Sequence, residues 1–167
     1  MLEREVKINM GCKKLKQLTS ILGTPNYFQQ TNIIYDLPEG FLRLRKEKNN
    51  TVITYKSERI NDKFGSREEL EFELEENQFP IIRQIFEMMG LKETLHFNKK
   101  RAEYKTDYSK LFIDHMPTGI YLEIEAESDE YITHTMKKLG FDEKDIEKKS
   151  YFELMQNYNS TKPLNNP

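Results

Sequence analysis

The chain alternates from its first residues. Leu2, Val6 and Ile8 interleave with Glu3, Glu5 and Lys7 around Arg4, a period of two that predicts a strand. Lys13 to Leu22 then places Leu15, Leu18 and Leu22 on one helical face, with Gly23-Thr24-Pro25 as the stop. Tyr27 to Tyr35 reads as extended, and Asp36 to Gly40, with Pro38 and Gly40, as a turn. Phe41 to Lys48 and Thr51 to Ser57 flank Asn49-Asn50, a hairpin signal, because Asn tolerates the positive φ of tight hairpin turns. Asn61 to Gly65 is a polar loop, and Ser66 to Glu75 alternates strictly. Phe79 to Met89 returns to helical spacing through Ile82, Ile85, Phe86 and Met89 and stops at Gly90. Three more strands follow, over about Leu95 to Asp107, Lys110 to Met116 and Ile120 to Glu127. A helix from about Glu130 to Leu139 takes Ser128 or Asp129 as its N-cap and ends at Gly140. Asp145 to Asn157 reads as the last helix, and Tyr158 onward as a frayed tail. The expectation is an α+β protein with eight strands in a mostly antiparallel sheet, a single domain over 1–157 and a flexible tail over 158–167.

Which half of each alternation carries charge is more informative than the alternation itself. Side chains two apart on a strand share a face. Glu3, Glu5 and Lys7 share one in the first strand, and Arg43 and Arg45 in the third, with Leu42 and Leu44 opposite. Lys56 lies in the fourth strand, and the fifth sets Arg67, Glu69, Glu71 and Glu73 against Leu70, Phe72 and Leu74. Lys99 and Arg101 mark the sixth, Asp114 the seventh, and Glu123, Glu125 and Glu127 the eighth. One explanation is a sheet with one face on helices and the other in water. Two features favour a different one. The charges are sorted by strand, basic on some and acidic on others, and eight strands suffice to close a barrel around side chains. With helices packed on the apolar outside, the charged face becomes a lumen.

Composition narrows the classes of function. The chain has 167 residues, 37% apolar and 32% charged, enough for one domain with a real core. A formal charge of -2 gives no global pull toward nucleic acid or an anionic membrane, so any anion site must be local. Cys12 is the single cysteine, which excludes an intrachain disulfide and a thiolate metal cluster. No stretch approaches the roughly 18 apolar residues of a membrane span, and no apolar leader follows Met1, so a cytoplasmic protein is expected. His96, His115 and His134 are scattered, and Cys12 reads as a bystander.

The remaining candidates are carboxylates and cations. Two carboxylates at i and i+2 lie roughly 6.5–7 Å apart and aim the same way. Their repulsion is of order 2 kcal/mol at an effective dielectric near 20, and a divalent cation between them reverses it. Oxygen ligands suit Mg²⁺ or Mn²⁺, above all when substrate phosphates complete the shell. Arg43, Arg45 and Arg101 offer planar forks to phosphate, and Lys56 and Lys99 offer point charges.

The ordered set resembles the CYTH superfamily, the triphosphate tunnel metalloenzymes, which include class IV adenylyl cyclases and thiamine triphosphatases. The family's Glu-x-Glu-x-Lys hallmark stands here as Glu3-Arg4-Glu5-Val6-Lys7. Arg43-x-Arg45, Lys56, Arg67-x-Glu69-x-Glu71, Lys99-x-Arg101, Asp114, Glu123-x-Glu125 and a Ser150-Tyr151 pair follow in order, so the resemblance covers about residues 2 to 155. It implies a closed eight-stranded barrel holding a triphosphate and one or two metal ions. By similarity Glu3, Glu5, Glu123 and Glu125 would hold metal, with Asp114 a metal or supporting candidate. Lys7, Arg43, Arg45, Lys56, Arg67, Lys99 and Arg101 would grip phosphates. Glu71, with Glu69 or Glu73, would hold a second metal or its attacking water. Glu71, Glu69 and Lys7 are the catalytic candidates, and Tyr151 reads as packing or a supporting hydroxyl. The substrate is expected to be tripolyphosphate, ATP or thiamine triphosphate, and a homodimer is left open.

Three readings of the chemistry compete. Metal-assisted hydrolysis needs only a phosphate grip and water. Cyclisation of ATP to cyclic AMP and pyrophosphate also needs the nucleoside held in one pose. The third is a polyphosphate-binding module without catalysis. No base-binding constellation stands out in the sequence. Family cyclases often carry a His-Phe element ahead of the first motif, where this chain has Met1 and Leu2 before Glu3. Hydrolysis is the favoured expectation, with the cyclase as its alternative.

Overall fold

The structure, a computed structural model, describes residues 2–60, 64 and 66–161, with backbone alone for residues 2, 3 and 161. The side chain of Glu3, most of the expected polar loop at 61–65 and the end of the expected tail lie outside the described residues. Strands β1 (Leu2–Glu3) and β2 (Glu5–Met10) are one extended run interrupted at Arg4. They are followed by α1 (Cys12–Leu22), β3 (Phe28–Asp36), β4 (Phe41–Glu47), β5 (Asn50–Lys56), β6 (Arg67–Glu75) and α2 (Phe79–Met88). Then come β7 (Glu93–Lys105), β8 (Ser109–Met116), β9 (Gly119–Ala126), α3 (Asp129–Lys138) and α4 (Tyr151–Thr161). The sheet order is β1-β6-β5-β4-β3-β7-β8-β9-β2, with every pairing antiparallel.

The α+β class and the antiparallel sheet are as expected, but the barrel is open rather than closed. The reason lies at the two edges of the N-terminal run. β1 joins β6 through only Leu2↔Glu68 and Glu3↔Arg67. From Glu5 onward one edge of β2 pairs with β9. The other edge is met by the segment after α3, where Ile146 bridges Ile8 and the Glu147 N–H donates to the Lys7 carbonyl at 2.6 Å. An edge already hydrogen-bonded cannot also take β6, so the sheet curls without sealing.

The apolar halves of the strands pack outward, as the alternation requires. α1 and α3 cover Val6, Ile8, Leu111, Ile113, Leu122 and Ile124 through Leu18, Ile132 and Met136, in a cluster that includes Phe64. α2 covers Ile33, Tyr35, Leu44 and Ile53 through Phe86. Ser128 caps α3 by accepting from the Tyr131 N–H, with Asp129 and Glu130 in the first turn and Lys137 and Lys138 in the last, matching the helix dipole.

Three local expectations need correction. The first concerns helices placed only outside the barrel. Met155 of α4 packs instead with Ile34, Leu95, Phe97, Met116 and Tyr121, which share the face of the charged residues. That face is apolar at one end, and α4 covers it. Second, the last helix starts at Tyr151 rather than Asp145. Asp142 and Asp145 form a capping box on a short 3-10 turn, and Ile146 is then drawn out against β2. Ser150 and Glu153 next cap α4 reciprocally, at 2.6 and 3.2 Å. Third, the hairpin turns at Lys48-Asn49, since Glu47 pairs with Asn50. Lys48 takes φ 50, and its ammonium is tied to Glu103 at 2.9 Å and lies over the Phe28 ring.

Candidate functional site

Seven strands send charge to the inner face, and the sheet's curl brings distant ones together. Lys7 of β2 and Lys99 of β7 are separated by β8 and β9, yet both ammoniums lie over the Tyr151 ring, at 4.3 and 4.7 Å from its centroid. Lys7, Arg45, Lys56, Arg67, Lys99, Arg101, Asp114 and Glu123 are all buried. Each except Lys7, whose ammonium lies over the Tyr151 ring, has an opposite charge within 4.0 Å, as buried charges require.

The deepest group centres on Asp114. Arg101 approaches it with a two-pronged contact, Nε to Oδ1 at 2.7 Å and a terminal nitrogen to Oδ2 at 2.6 Å. Lys99 donates to Oδ2 at 2.8 Å, and so does the Tyr151 hydroxyl. Arg101 also reaches Glu123 across the sheet. Burial raises the Asp114 pKa, but Arg101 and Lys99 outweigh it and hold the carboxyl well below the usual range. Burial and the Arg101 charge lower Lys99 from 10.5 to about 7, against the pull of Asp114 and Glu123. The Tyr151 phenol is pushed well above 10 by burial and by Asp114.

A second group lies on β4, β5 and β6. Arg43 contacts Glu71 at 3.3 Å and Glu69 at 3.7 Å, Lys56 contacts Glu69 at 3.2 Å, and the Thr54 hydroxyl donates to Glu71 at 2.8 Å. Burial raises the Glu71 pKa, but the Thr54 hydrogen bond and Arg43 bring it below its ordinary value. A third group places Glu5 against Arg67 at 2.9 Å and Arg59 at 3.7 Å. Burial raises the Glu5 pKa, but Lys56, Lys7, Arg67 and Arg59 together hold it well below the carboxylate range. Arg45 completes the floor: its Nε donates to Asn32 at 3.0 Å, and a terminal nitrogen lies 3.5 Å from Glu47. Burial and the charges of Arg43 and Arg101 bring its pKa down from 12.5 to about 10.

The structure thus brings Lys7, Arg43, Arg45, Lys56, Arg67, Lys99 and Arg101 onto one face with Glu5, Glu69, Glu71, Asp114, Glu123 and Glu125. Glu5 stands directly across from Glu125, and Lys7 from Glu123. The donor set for a divalent ion is all carboxylate, which fits Mg²⁺ or Mn²⁺. Among the described residues no three acidic, His or Cys side chains are gathered closely enough to hold an ion by themselves. Ligand oxygens would have to complete a shell. Asp114 has both oxygens engaged, by Arg101, Lys99 and Tyr151. His115 meets the Tyr27 hydroxyl at 2.9 Å, beside a face-to-edge ring contact, away from the inner face.

Sequence reasoning did not single out Gln30, Asn32 or Thr54, because a neutral residue in an alternating strand carries no charge signal. It also missed the apolar end of the face. The signal was there: Leu95 and Phe97 precede Lys99 and Arg101 at the same spacing, so they must share their face.

Comparison with known proteins agrees with this arrangement. The chain is 30% identical to a Methanocaldococcus jannaschii protein named provisionally as an adenylate cyclase, an alignment covering 92% of this chain and 98% of that one. A solved structure from Pyrococcus horikoshii OT3 superposes with TM-score 0.80 at 27% identity, covering 91% of this chain and 98% of that one. A Hippeastrum protein, described as an adenylyl cyclase candidate with a dominant triphosphatase activity, shares the fold. Its TM-score is 0.68 at 18% identity, covering 98% of each chain. The CYTH domain matches residues 1–151. With the Glu-x-Glu-x-Lys strand, the basic strands and the acidic strands all turned onto one curled face, the chain belongs to the CYTH domain family.

Proposed function

We propose that this chain is a divalent-metal-dependent triphosphatase that removes the terminal phosphate of an inorganic or organic triphosphate. The observation that carries the reading is the convergence of seven cations and six carboxylates from seven strands on one curled face. Six of the seven cations pair with carboxylates. A triphosphate would take the cations and its metal the carboxylates, so both sets exchange one charged partner for another without an uncompensated buried charge.

Arg43, Arg45, Lys56, Lys99 and Arg101 would grip phosphate oxygens, and Lys7 and Arg67 would close the grip from the N-terminal run. Glu5, Glu123 and Glu125, with Glu3, would hold Mg²⁺ or Mn²⁺. Such an ion would supply positive charge to the phosphates and lower the pKa of an attacking water. Glu71 and Glu69 stand on the open edge strand β6, where a water can reach them, and would orient that water in line with the leaving group. Asp114 is assigned a positioning role: it fixes Arg101 and Lys99 while Tyr151 fixes it.

Conversion of ATP to cyclic AMP is the second reading, supported by the name of the Methanocaldococcus jannaschii relative. Incubating the protein with ATP and Mg²⁺ or Mn²⁺ and separating the products distinguishes the two. ADP and phosphate are expected, with activity lost in Glu5→Gln and on chelation. Cyclic AMP as the main product promotes the cyclase.

A further inference from the structure

Six large apolar side chains are exposed on the outside of the sheet. Ile81, Ile85 and Met88 of α2, Met89 just past its end, and Leu70 and Phe72 of β6 are 44–81% exposed. Leu70 and Phe72 are two residues apart on the face opposite Glu69 and Glu71, so they belong to the apolar side that helices cover elsewhere. α2 stops short of them, packing through Phe86 on Ile33, Tyr35, Leu44 and Ile53 of β3, β4 and β5. The helix is also asymmetric. Arg83 reaches Glu93, at the start of β7, at 2.5 Å and Glu87 at 3.4 Å, so this flank faces the β7 side. At about 3.6 residues per turn, Ile81, Ile85 and Met89 lie on the other flank. In the sheet order that is the side of β6, so the two apolar sets adjoin.

Half-exposed side chains of this size show on the order of 100 Å² each, so the patch amounts to roughly 600 Å². The largest apolar patch on an ordinary monomer is about 300–600 Å². One side of a standard interface covers about 800 Å², of which about 65% is apolar in a homodimer, or roughly 500 Å². The patch is thus the size of one half of a dimer interface. Its shape and charge point to a second copy of this chain. A two-fold contact sets the same patch against itself, so the patch must be self-complementary and free of net charge. α2 is a ridge about 10 Å across. Beside it the bare strip of β5 and β6, where Tyr55 stands next to Leu70, is two strands or about 10 Å wide. Each ridge can therefore fill the strip of the other copy. The six side chains are uncharged, and Arg83 and Glu87 pair with each other on the far flank. Edge-to-edge pairing of two β6 strands is disfavoured, because it would line up Glu69, Glu71 and Glu73 of both copies on one face.

We propose that Ile81, Ile85, Met88 and Met89 of one copy pack on Leu70 and Phe72 of another, and the reverse, in a two-fold dimer built from α2 and the outer face of β6. The contact backs the edge strand that carries Glu69 and Glu71 without touching their face. It does not depend on what the inner face binds.

Sedimentation equilibrium of the full chain over about 1 to 100 μM tests this. Wild type should run at twice the chain mass, with a Kd below about 10 μM. Phe72→Glu and Ile85→Lys should each raise the Kd at least about 100-fold, since each sets an unpaired charge in the centre of the contact. Both positions are exposed in the single chain, so the far-ultraviolet circular dichroism should not change. An equimolar mixture of the two variants should recover a dimer. In it one half of the contact is unaltered, and the other sets the introduced carboxylate against the introduced ammonium. Met88→Lys, at the most exposed of the six positions, repeats the test of dissociation should either variant unfold. A wild-type monomer at about 100 μM overturns the proposal and leaves the patch to a different protein. A dimer that persists in both variants uses another surface and overturns it too. Variants that remain monomeric when mixed overturn the packing of α2 on β6.

Discussion

Lys99 is 3% exposed, shares Asp114 with Arg101 and lies against the Tyr151 ring. Its pKa falls from 10.5 to about 7 because burial and the adjacent guanidinium outweigh the carboxylates. The folded value lies below the unfolded one, so between about pH 7 and 10.5 the unfolded chain holds more protons. The contribution of Lys99 to stability therefore rises with pH across that window and is absent below it. A bound polyanion favours the ammonium and moves its pKa back up. We expect inorganic triphosphate binding at pH 8 to take up close to one proton, and binding at pH 6 to take up almost none. Calorimetry in buffers of different ionisation enthalpy reads this directly, and Lys99→Met should abolish the uptake. Uptake that is the same at both pH values would show that Lys99 is not the group titrating. The charge of Lys99 was legible in the sequence, but its protonation was not. That depends on Arg101, Asp114 and Tyr151, which reach it through the sheet register and through α4.

The elements that frame the site are short turns as much as strands. Gly40, with φ +93, follows Asp36 and Pro38 in the turn before β4, and a Cβ there would meet the Lys56 carbonyl at 2.1 Å. The glycine is needed both for its backbone conformation and for close approach to Lys56, one of the lysines proposed above to grip phosphate. Gly40→Ala should cost on the order of 3 kcal/mol from strain and displacement, lowering the melting temperature by roughly 6–12 °C. It should also weaken triphosphate binding through Lys56. A melting temperature within a degree of wild type would mean that the turn has room the structure does not show. The sequence marked this turn by its Pro and Gly. It misplaced the turn at Lys48-Asn49 by one residue, since Asn49-Asn50 was the stronger local signal. The pairing of β4 with β5, in which Arg45 faces Val52 and Glu47 faces Asn50, sets the actual turn.

At the scale of the whole molecule, cations and carboxylates converge on a sheet that is curled but unsealed. Ligand and metal together should hold its two halves, since β6 on one side and β2 with β9 on the other both contribute. A ligand that binds only the folded state stabilises it by about 2.7 kcal/mol at one hundred times its Kd. Inorganic triphosphate with Mg²⁺ should therefore raise the melting temperature by roughly 5–11 °C at that saturation. Chelator should remove most of the gain, and Glu123→Gln should lose it. An unchanged melting curve at millimolar ligand would favour a merely solvated charged face. No helix among the described residues is long and apolar enough to cross a membrane.

Period-two alternation with charge sorted by strand was enough, in the sequence, to specify an antiparallel sheet with one charged face, because side-chain direction on a strand is set by local geometry alone. The Glu-x-Glu-x-Lys run and the ordered basic and acidic strands also identified the family. What only the tertiary structure decided is how that face is bounded and who pairs with whom. Ile146 and Glu147, some 140 residues from Ile8 and Lys7, take the edge of β2 and leave the barrel open. Met155 and Tyr151 bring a helix onto the inner face, where the apolar ends of β3, β7, β8 and β9 meet. Glu47 and Arg45 fix the amides of Gln30 and Asn32. Each of these depends on contacts between residues distant along the chain, and on competition for a single strand edge or a single carboxylate. No local pattern of hydrophobic and polar positions encodes such competition.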